Sequence, residues 1–409
     1  MQVTLDPKYQ HRDDAEEAVD ILRRCVHCGF CTATCPTYQI FGDELDGPRG
    51  RLYLVKQVLE GEPTTARTRL HLDRCLTCRA CETTCPSGVA YGPLVDIGRK
   101  LVDEALPRHP LARLGRIALA SALTGPFFRP AVALGRLLRP LLPSSLRRAL
   151  PARRSAGAVP DRQHVRRVLL LAGCVQPSLS PGISAATRRV LDALRIETLI
   201  APSAGCCGAI RHHLGETESA LGDLRRNIDA WWPLIESGAE AIITDASGCG
   251  TMLKDYGPLL RDDLAYATKA ARVSELARDV SEVVAAETGR VAELAAQRGV
   301  SQRIAFHPPC SLQHGLKLRG GVESILRAAG ASLLPFADTH LCCGSAGTYS
   351  LLQPAVSQEL RARKLTALNA AQPELILSAN IGCITQLADE GGVPVRHWIE
   401  WLDERIKNP

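Results

Sequence analysis

Sixteen cysteines in a chain of 409 residues fall into patterned clusters. Residues 25–36 read CVHCGFCTATCP and residues 75–86 read CLTCRACETTCP. Both fit C-x2-C-x2-C-x3-C-P, the run by which bacterial iron–sulfur proteins hold two clusters. Three thiolates at three-residue spacing on a tight loop wrap three corners of a cubane. In that pattern the fourth thiolate reaches the other cluster, and the proline after it stops a helix from running into the site. The expected ligand sets are Cys25, Cys28, Cys31 and Cys85 for one [4Fe-4S] cluster, and Cys75, Cys78, Cys81 and Cys35 for the second. Tetrahedral zinc is the competing use of C-x2-C pairs. Two matching four-cysteine runs, each closed by proline, weigh against it.

A second kind of cluster is the adjacent pair in SAGCCGA, Cys206 and Cys207. Neighbouring Cα atoms lie ~3.8 Å apart, short of the roughly 4.4–6.8 Å that ordinary disulfides need. Two thiolates aimed at one metal centre fit better, and partners exist. Cys174 precedes the pair and Cys249 follows it, while Cys310, Cys342, Cys343 and Cys383 repeat the set. Cys174 to Cys206 and Cys310 to Cys342 are both 32 positions; from the pair to the last cysteine is 42 positions in one copy and 40 in the other. Four thiolates per copy suffice for one further cluster. Glycines at 173, 205, 208, 248 and 250 leave backbone N–H groups free to approach sulfur. Isolated buried cysteines behave as small hydrophobes, a reading that the repeated spacing disfavours. His212, His213, His307 and His340 stand close to these motifs. Each has two readings, a donor to sulfur or a packed or solvated histidine, and the second is preferred.

The elements that must position these cysteines follow from the rest of the pattern. Between the two N-terminal runs, Pro48 and the apolar spacing of Leu52, Val55 and Leu59 predict a helix from the proline to just before Gly61. Each cysteine-pair copy alternates apolar β-like runs (VLLLA, TLIAP, AIITD; IAF, SLLPF, LILSA) with amphipathic stretches. That alternation predicts a small parallel α/β unit with its ligands at the carboxyl ends of the strands. An Ala-, Glu- and Val-rich helix is expected between the copies, about Thr268–Arg298. The segment from Pro107 to Pro160 holds ten Arg and no acidic residue. Its short apolar stretches are broken by Pro and Gly. An anionic lipid surface would attract such a segment; an acidic partner subunit or plain solvent are the other readings.

Composition is that of a globular chain, 45% hydrophobic and 22% charged, with a net charge of +6. No aromatic–basic stripe suggests nucleic acid. Residues 1–20 lack the apolar core of a secretory signal, and the longest clean apolar stretch, Ile117–Phe128, is short of the ~20 residues of a spanning helix. Neither a P-loop nor a dinucleotide fingerprint is present.

On these motifs the chain resembles the iron–sulfur subunits of bacterial glycolate oxidase (glycolate dehydrogenase). At the same level of architecture it is similar to the corresponding iron–sulfur subunit of anaerobic glycerol-3-phosphate dehydrogenase and to the fused small subunits of heterodisulfide reductase. The resemblance implies a mixed α/β chain: a mainly helical 2[4Fe-4S] ferredoxin domain at 1–106, an Arg-rich helical connector at 107–165, a first cysteine-rich "CCG" domain at 166–265, a connecting helix at 266–300 and a second CCG domain at 301–409. It also implies electron transfer from FAD-containing partner subunits, where glycolate becomes glyoxylate, to a membrane quinone or other acceptor, on the inner face of the cell membrane. A related lactate or glycerol-3-phosphate dehydrogenase, or a disulfide-reducing enzyme, is the alternative. Heterodisulfide reductase closes its CCG motif with C-x-x-C to bind a non-cubane cluster. Here CGTM and CITQ put Met252 and Gln386 in that last place, so four ligands and an ordinary cluster are expected.

Overall fold

The computed structural model describes residues 1–141, 150, 155–296, 302–389 and 391–406. Part of the Arg-rich segment and the end of the expected inter-copy helix lie outside them. Contacts divide the chain into two units, residues 1–116 with 340–364, and residues 117–339 with 365–409.

The first unit is helical in its N-terminal part. Helices Asp13–Arg23, Pro48–Leu59, Ala66–Asp73 and Tyr91–Ala105 turn apolar faces inward. Leu22, Leu52, Val55, Leu59, Leu94 and Leu101 form the centre of their core. Pro48 begins its helix as expected, because a first-turn proline loses no intrahelical hydrogen bond. Thr65 and Thr68 close a reciprocal cap on the helix before Cys75.

The second unit holds two parallel four-stranded sheets of matching topology. Strands β1 (Arg166–Leu170), β2 (Ile196–Leu199), β3 (Ala241–Thr244) and β4 (Ala277–Asp279) are ordered β2-β1-β3-β4. Strands β5 (Arg303–His307), β6 (Ser332–Leu333), β7 (Leu375–Ser378) and β8 (Val395–His397) are ordered β6-β5-β7-β8. All pairings are parallel. The sequence repeat is therefore a structural repeat.

The two sheets share one core, in which Ile243 and Val190 of the first copy join Ile304, Leu377 and Trp398 of the second. Arg189 of helix Pro181–Ala193 reaches Asp403 of helix Trp398–Ile406 at 2.8 Å, locking the copies at their backs. At the cysteine end, Ser247 Oγ meets Ser311 Oγ at 2.7 Å. The stretch Thr268–Arg298, expected as one helix, is interrupted by β4. Ala277–Asp279 pairs with Ile242–Thr244, and the Asp279 side chain caps the next helix in a reciprocal box with Glu282. A strand of three residues inside a helix-forming composition yields to sheet pairing, which local propensity does not register.

The Arg-rich segment forms helices Pro110–Thr124 and Phe128–Leu137. No single helix among the described residues is long and apolar enough to cross a membrane; these two pass that test only together, bent by 80°.

Candidate functional site

The two N-terminal cysteine runs fold alike. His27 and Gly29 in the first, and Thr77 and Arg79 at the same offsets in the second, all have positive φ, between 52° and 81°. These left-handed residues curl each loop so that its amides face inward, and the Thr77 N–H points at Cys75 Sγ, 3.4 Å away. Arg79 adopts φ 58° where the first run has glycine, a strained choice for a side-chain-bearing residue. Each run then enters a short helix, Phe30–Ala33 or Ala80–Thr84, that carries the third cysteine.

The runs cross. The Cys31 thiol is pushed up to about 11 by burial and by the thiols of Cys25, Cys85 and Cys28. Cys25, Cys28, Cys31 and Cys85, together with Cys81 of the other quartet, line one pocket closed by Leu52 and Val89. The Cys81 thiol is raised by burial and then by Cys78, Cys75 and Cys35. Both expected quartets are thus gathered, each with three members from one run and one from the other. Crowded, desolvated thiols of this kind resist ionisation unless a cation compensates them. An apolar pocket lined by a full set of four sulfurs and the edge of the next therefore suits an iron–sulfur cluster.

A buried cationic network backs the second quartet. Arg51, 2% exposed, donates through Nε to His71 O at 2.7 Å and through Nη2 to Thr37 Oγ1 at 3.1 Å. It and Arg74 flank the buried Asp46 carboxylate at 3.4 Å and 2.8 Å. Burial opposes the Arg51 charge, but Tyr91, Cys75, Cys35 and Asp46 outweigh it and keep the guanidinium protonated. Thr37 Oγ1 lies 3.3 Å from Cys35 Sγ. Arg99 straps the same loop, donating to Leu72 O at 3.0 Å and to Cys75 O at 2.7 Å.

In the first CCG copy the cysteines stand just beyond the carboxyl ends of the strands, Cys174 after β1, Cys206 and Cys207 after β2, and Cys249 after β3. The structure brings all four together. Cys174 and Cys207 both hydrogen-bond Cys206 and lower its pKa, and Cys249 in turn adjoins Cys207. The Gly208 N–H lies 3.5 Å from Cys206 Sγ, and Gly208 has φ 92°. Asn227 and Tyr256, neither singled out by the sequence, strap this loop. Asn227 accepts from Gly205 N at 2.8 Å and donates to Cys206 O at 2.7 Å; Tyr256 donates to Cys207 O at 3.1 Å. A lone Asn in the amphipathic run RRNIDAWW is the only clue to them. Met252 is buried in the neighbouring core with Leu224 and Leu253.

In the second copy, Cys310 follows β5 and Cys383 follows β7 in the second unit, whereas Cys342 and Cys343 belong to the first. The Gly344 N–H lies 3.4 Å from Cys342 Sγ, mirroring Gly208. Within the first unit this segment sits against the ferredoxin-type loops. Tyr349 donates to Arg74 O at 2.9 Å, and after burial the largest influence raising the Cys78 thiol is Cys342. His307 is fully buried at the end of β5.

Comparison with known families agrees with this construction. Residues 21–89 match the 4Fe-4S dicluster domain, and residues 168–254 and 304–388 match the cysteine-rich domain. Among relatives, the glycolate oxidase iron-sulfur subunit of Escherichia coli (strain K12) is 52% identical over 409 residues, covering all of both chains. The probable glycolate oxidase iron-sulfur subunit of Bacillus subtilis (strain 168) is 30% identical over 399 residues, covering 90% of this chain and 88% of its own. Lactate utilization protein A of Bacillus licheniformis is 22% identical over 245 residues, 58% of this chain and the whole of its own.

Proposed function

The chain belongs to the family of glycolate oxidase iron-sulfur subunits, and from that premise we propose how its residues carry electrons within such a complex. Glycolate is oxidised to glyoxylate at FAD on partner subunits, and this chain takes the electrons onward. When bound, iron–sulfur clusters accept and release one electron at a time. Cys25, Cys28, Cys31 and Cys85 hold one cluster, and Cys75, Cys78, Cys81 and Cys35 the next. Cys174, Cys206, Cys207 and Cys249 hold a third, and Cys310, Cys342, Cys343 and Cys383 a fourth. The domains run 1–106, 166–265 and 301–409, with 107–165 and 266–300 as connecting segments.

The observation that carries the reading is the crossing of the two N-terminal runs, with the Cys31 thiol beside Cys85 and the Cys81 thiol beside Cys35. Crossed loops bring two centres close together, which is what stepwise electron transfer needs. The closeness of Cys342 to Cys78 supports a next step from the second quartet toward the second CCG copy.

The chain works on the inner face of the membrane, held by its bent helix pair. Leu111, Leu114, Phe127, Leu134 and Leu137 are all more than half exposed there, among arginines with no acidic residue nearby in sequence. Apolar side chains entering the interface beside cations drawn to anionic headgroups form a peripheral anchor.

Co-purification tests the assignment. The chain should be isolated from a membrane fraction with flavin-containing partners, and the complex should reduce a soluble dye with glycolate. A chain that isolates alone, or a complex that oxidises lactate and leaves glycolate untouched, overturns it.

A further inference from the structure

Beside the Cys206–Cys207 loop lies a cavity of about 320 Å³, in the size range of small-molecule sites. One wall is helix Pro110–Thr124, which contributes Ile117, Ala120 and Ser121 at one-face spacing. The opposite wall is helix Thr217–Glu236, which presents Ser219, Gly222, Asp223 and Arg226 at the same kind of spacing. Arg211 and Glu216 complete it.

Three features give the cavity a chemistry. It borders the cysteine loop: a side chain built at Gly205, the residue before Cys206, would meet Arg226 Nη2 at 3.5 Å. Its guanidinium groups are held in place by the buried Asp223 carboxylate, which binds Arg211 at 2.5 Å and Arg226 at 2.6 Å. Two arginines against Asp223 and Glu216 leave the lining electrically balanced, which favours a neutral ligand with hydrogen-bond acceptors over an anion. The third feature is Gly222. Glycine inside a helix costs roughly 1 kcal/mol against alanine, and a Cβ there would meet nothing within 4 Å. No neighbour requires that glycine, and the position opens onto the free volume of the cavity. The wall helix also continues into the bent apolar pair, where Phe127, Leu134 and Leu137 are exposed.

We propose that this cavity binds the ring of a quinone and is where electrons leave the chain. The inference rests on the reading of the chain as a membrane-docked electron carrier. A quinone is neutral, its two carbonyl oxygens accept hydrogen bonds from guanidinium N–H groups, and its apolar tail leads back to the bilayer. The balance is quinone plus two electrons plus two protons to quinol. Glycolate oxidation supplies the electrons, and Cys174, Cys206, Cys207 and Cys249 would hold the centre that delivers them one at a time. Both protons come from water through the Glu216 carboxyl at the cavity edge. Each carbonyl becomes a hydroxyl, and nothing else is consumed.

The test uses the detergent-solubilised complex and the fluorescent quinone analogue heptylhydroxyquinoline N-oxide. Gly222→Leu places a side chain in the cavity at a helix position that tolerates one. The proposal expects quenching of the analogue by the wild type, binding weakened by more than about tenfold in the variant, and unchanged iron and acid-labile sulfide per chain. The analogue should also alter the EPR signal of the adjacent centre in the wild type only. Equal binding to both proteins, or no quenching by the wild type, overturns the site. Dye reduction with glycolate is measured in parallel on the wild type. Dye reduction without quenching refutes the cavity alone; quenching without dye reduction refutes the glycolate reading and leaves the cavity standing.

Discussion

Replacing Arg51 with glutamine should lower the potential of one centre and leave its neighbour nearly unchanged. Contacts of 3.1 Å from Arg51 Nη2 to Thr37 Oγ1 and 3.3 Å from Thr37 Oγ1 to Cys35 Sγ put the guanidinium no farther than about 6.4 Å from that sulfur. At an effective dielectric of about 20, a unit charge at that distance is worth roughly 2.6 kcal/mol. That is almost two powers of ten in an equilibrium, or about 110 mV for one electron. The Asp46 carboxylate lies against Arg51 and Arg74 and offsets part of it, so about 50–100 mV is the expected shift. The sign follows from charge. A reduced cluster is more negative than an oxidised one, so losing a buried cation disfavours reduction and the potential falls. Glutamine keeps donors for Thr37 and His71, which limits collapse of the network. EPR-monitored redox titration of the anaerobic protein reads the result. A shift of equal size in both ferredoxin-type centres, or an upward shift, would refute the reasoning.

Other outcomes follow from the same structure. Asn227→Ala removes the strap on the Cys206–Cys207 loop and leaves buried backbone groups unpaired, so it should cost about 2 kcal/mol in thermal or denaturant unfolding and lower the iron bound at that centre, with the two N-terminal centres retained. Asp279 is fully buried and pushed up to about 7 by burial against its Ser281 donors. Because the folded state holds this proton more tightly than the unfolded chain, its stabilising effect is complete at low pH and is lost as pH rises toward about 7, by up to roughly 4 kcal/mol. Asp279→Asn should flatten that part of the pH–stability curve. A paired Leu134→Glu and Leu137→Glu change on the exposed helix should release the protein from vesicles rich in anionic lipid in a flotation assay, while zwitterionic vesicles show weak binding to both forms.

What the sequence disclosed was mostly what repeats or carries a fixed spacing. The crossed runs, the eight further cysteines at matching intervals, the helix starting at Pro48 and the parallel α/β alternation all rest on local pattern, and local pattern survives folding. Less legible was anything made by distant residues. The strand Ala277–Asp279 exists because Ile242–Thr244 offers it a pairing edge, and no composition rule separates it from the helices around it. The fusion of two copies into one core depends on Val190 and Trp398 meeting across more than two hundred residues. Asn227 and Tyr256 read as ordinary positions on amphipathic helices until the loop they hold is seen. In the sequence, GPRGR allows Arg51 either a backbone or cluster-charge partner or a solvated helix start; in the fold it is buried against Asp46 and His71 O.

The central claim is that these thiols gather in crossed fours around iron. Substituting Cys85 by serine tests it most directly, because Cys85 sits in the second run and is assigned to the first run's cluster. Iron and acid-labile sulfide analysis with EPR of the anaerobically purified protein should show the wild type carrying at least about eight iron and eight sulfide per chain, and the variant losing or altering the centre held by Cys25, Cys28 and Cys31. A colourless, zinc-loaded protein, or a variant whose damage falls on the centre of Cys75, Cys78 and Cys81, would contradict the account.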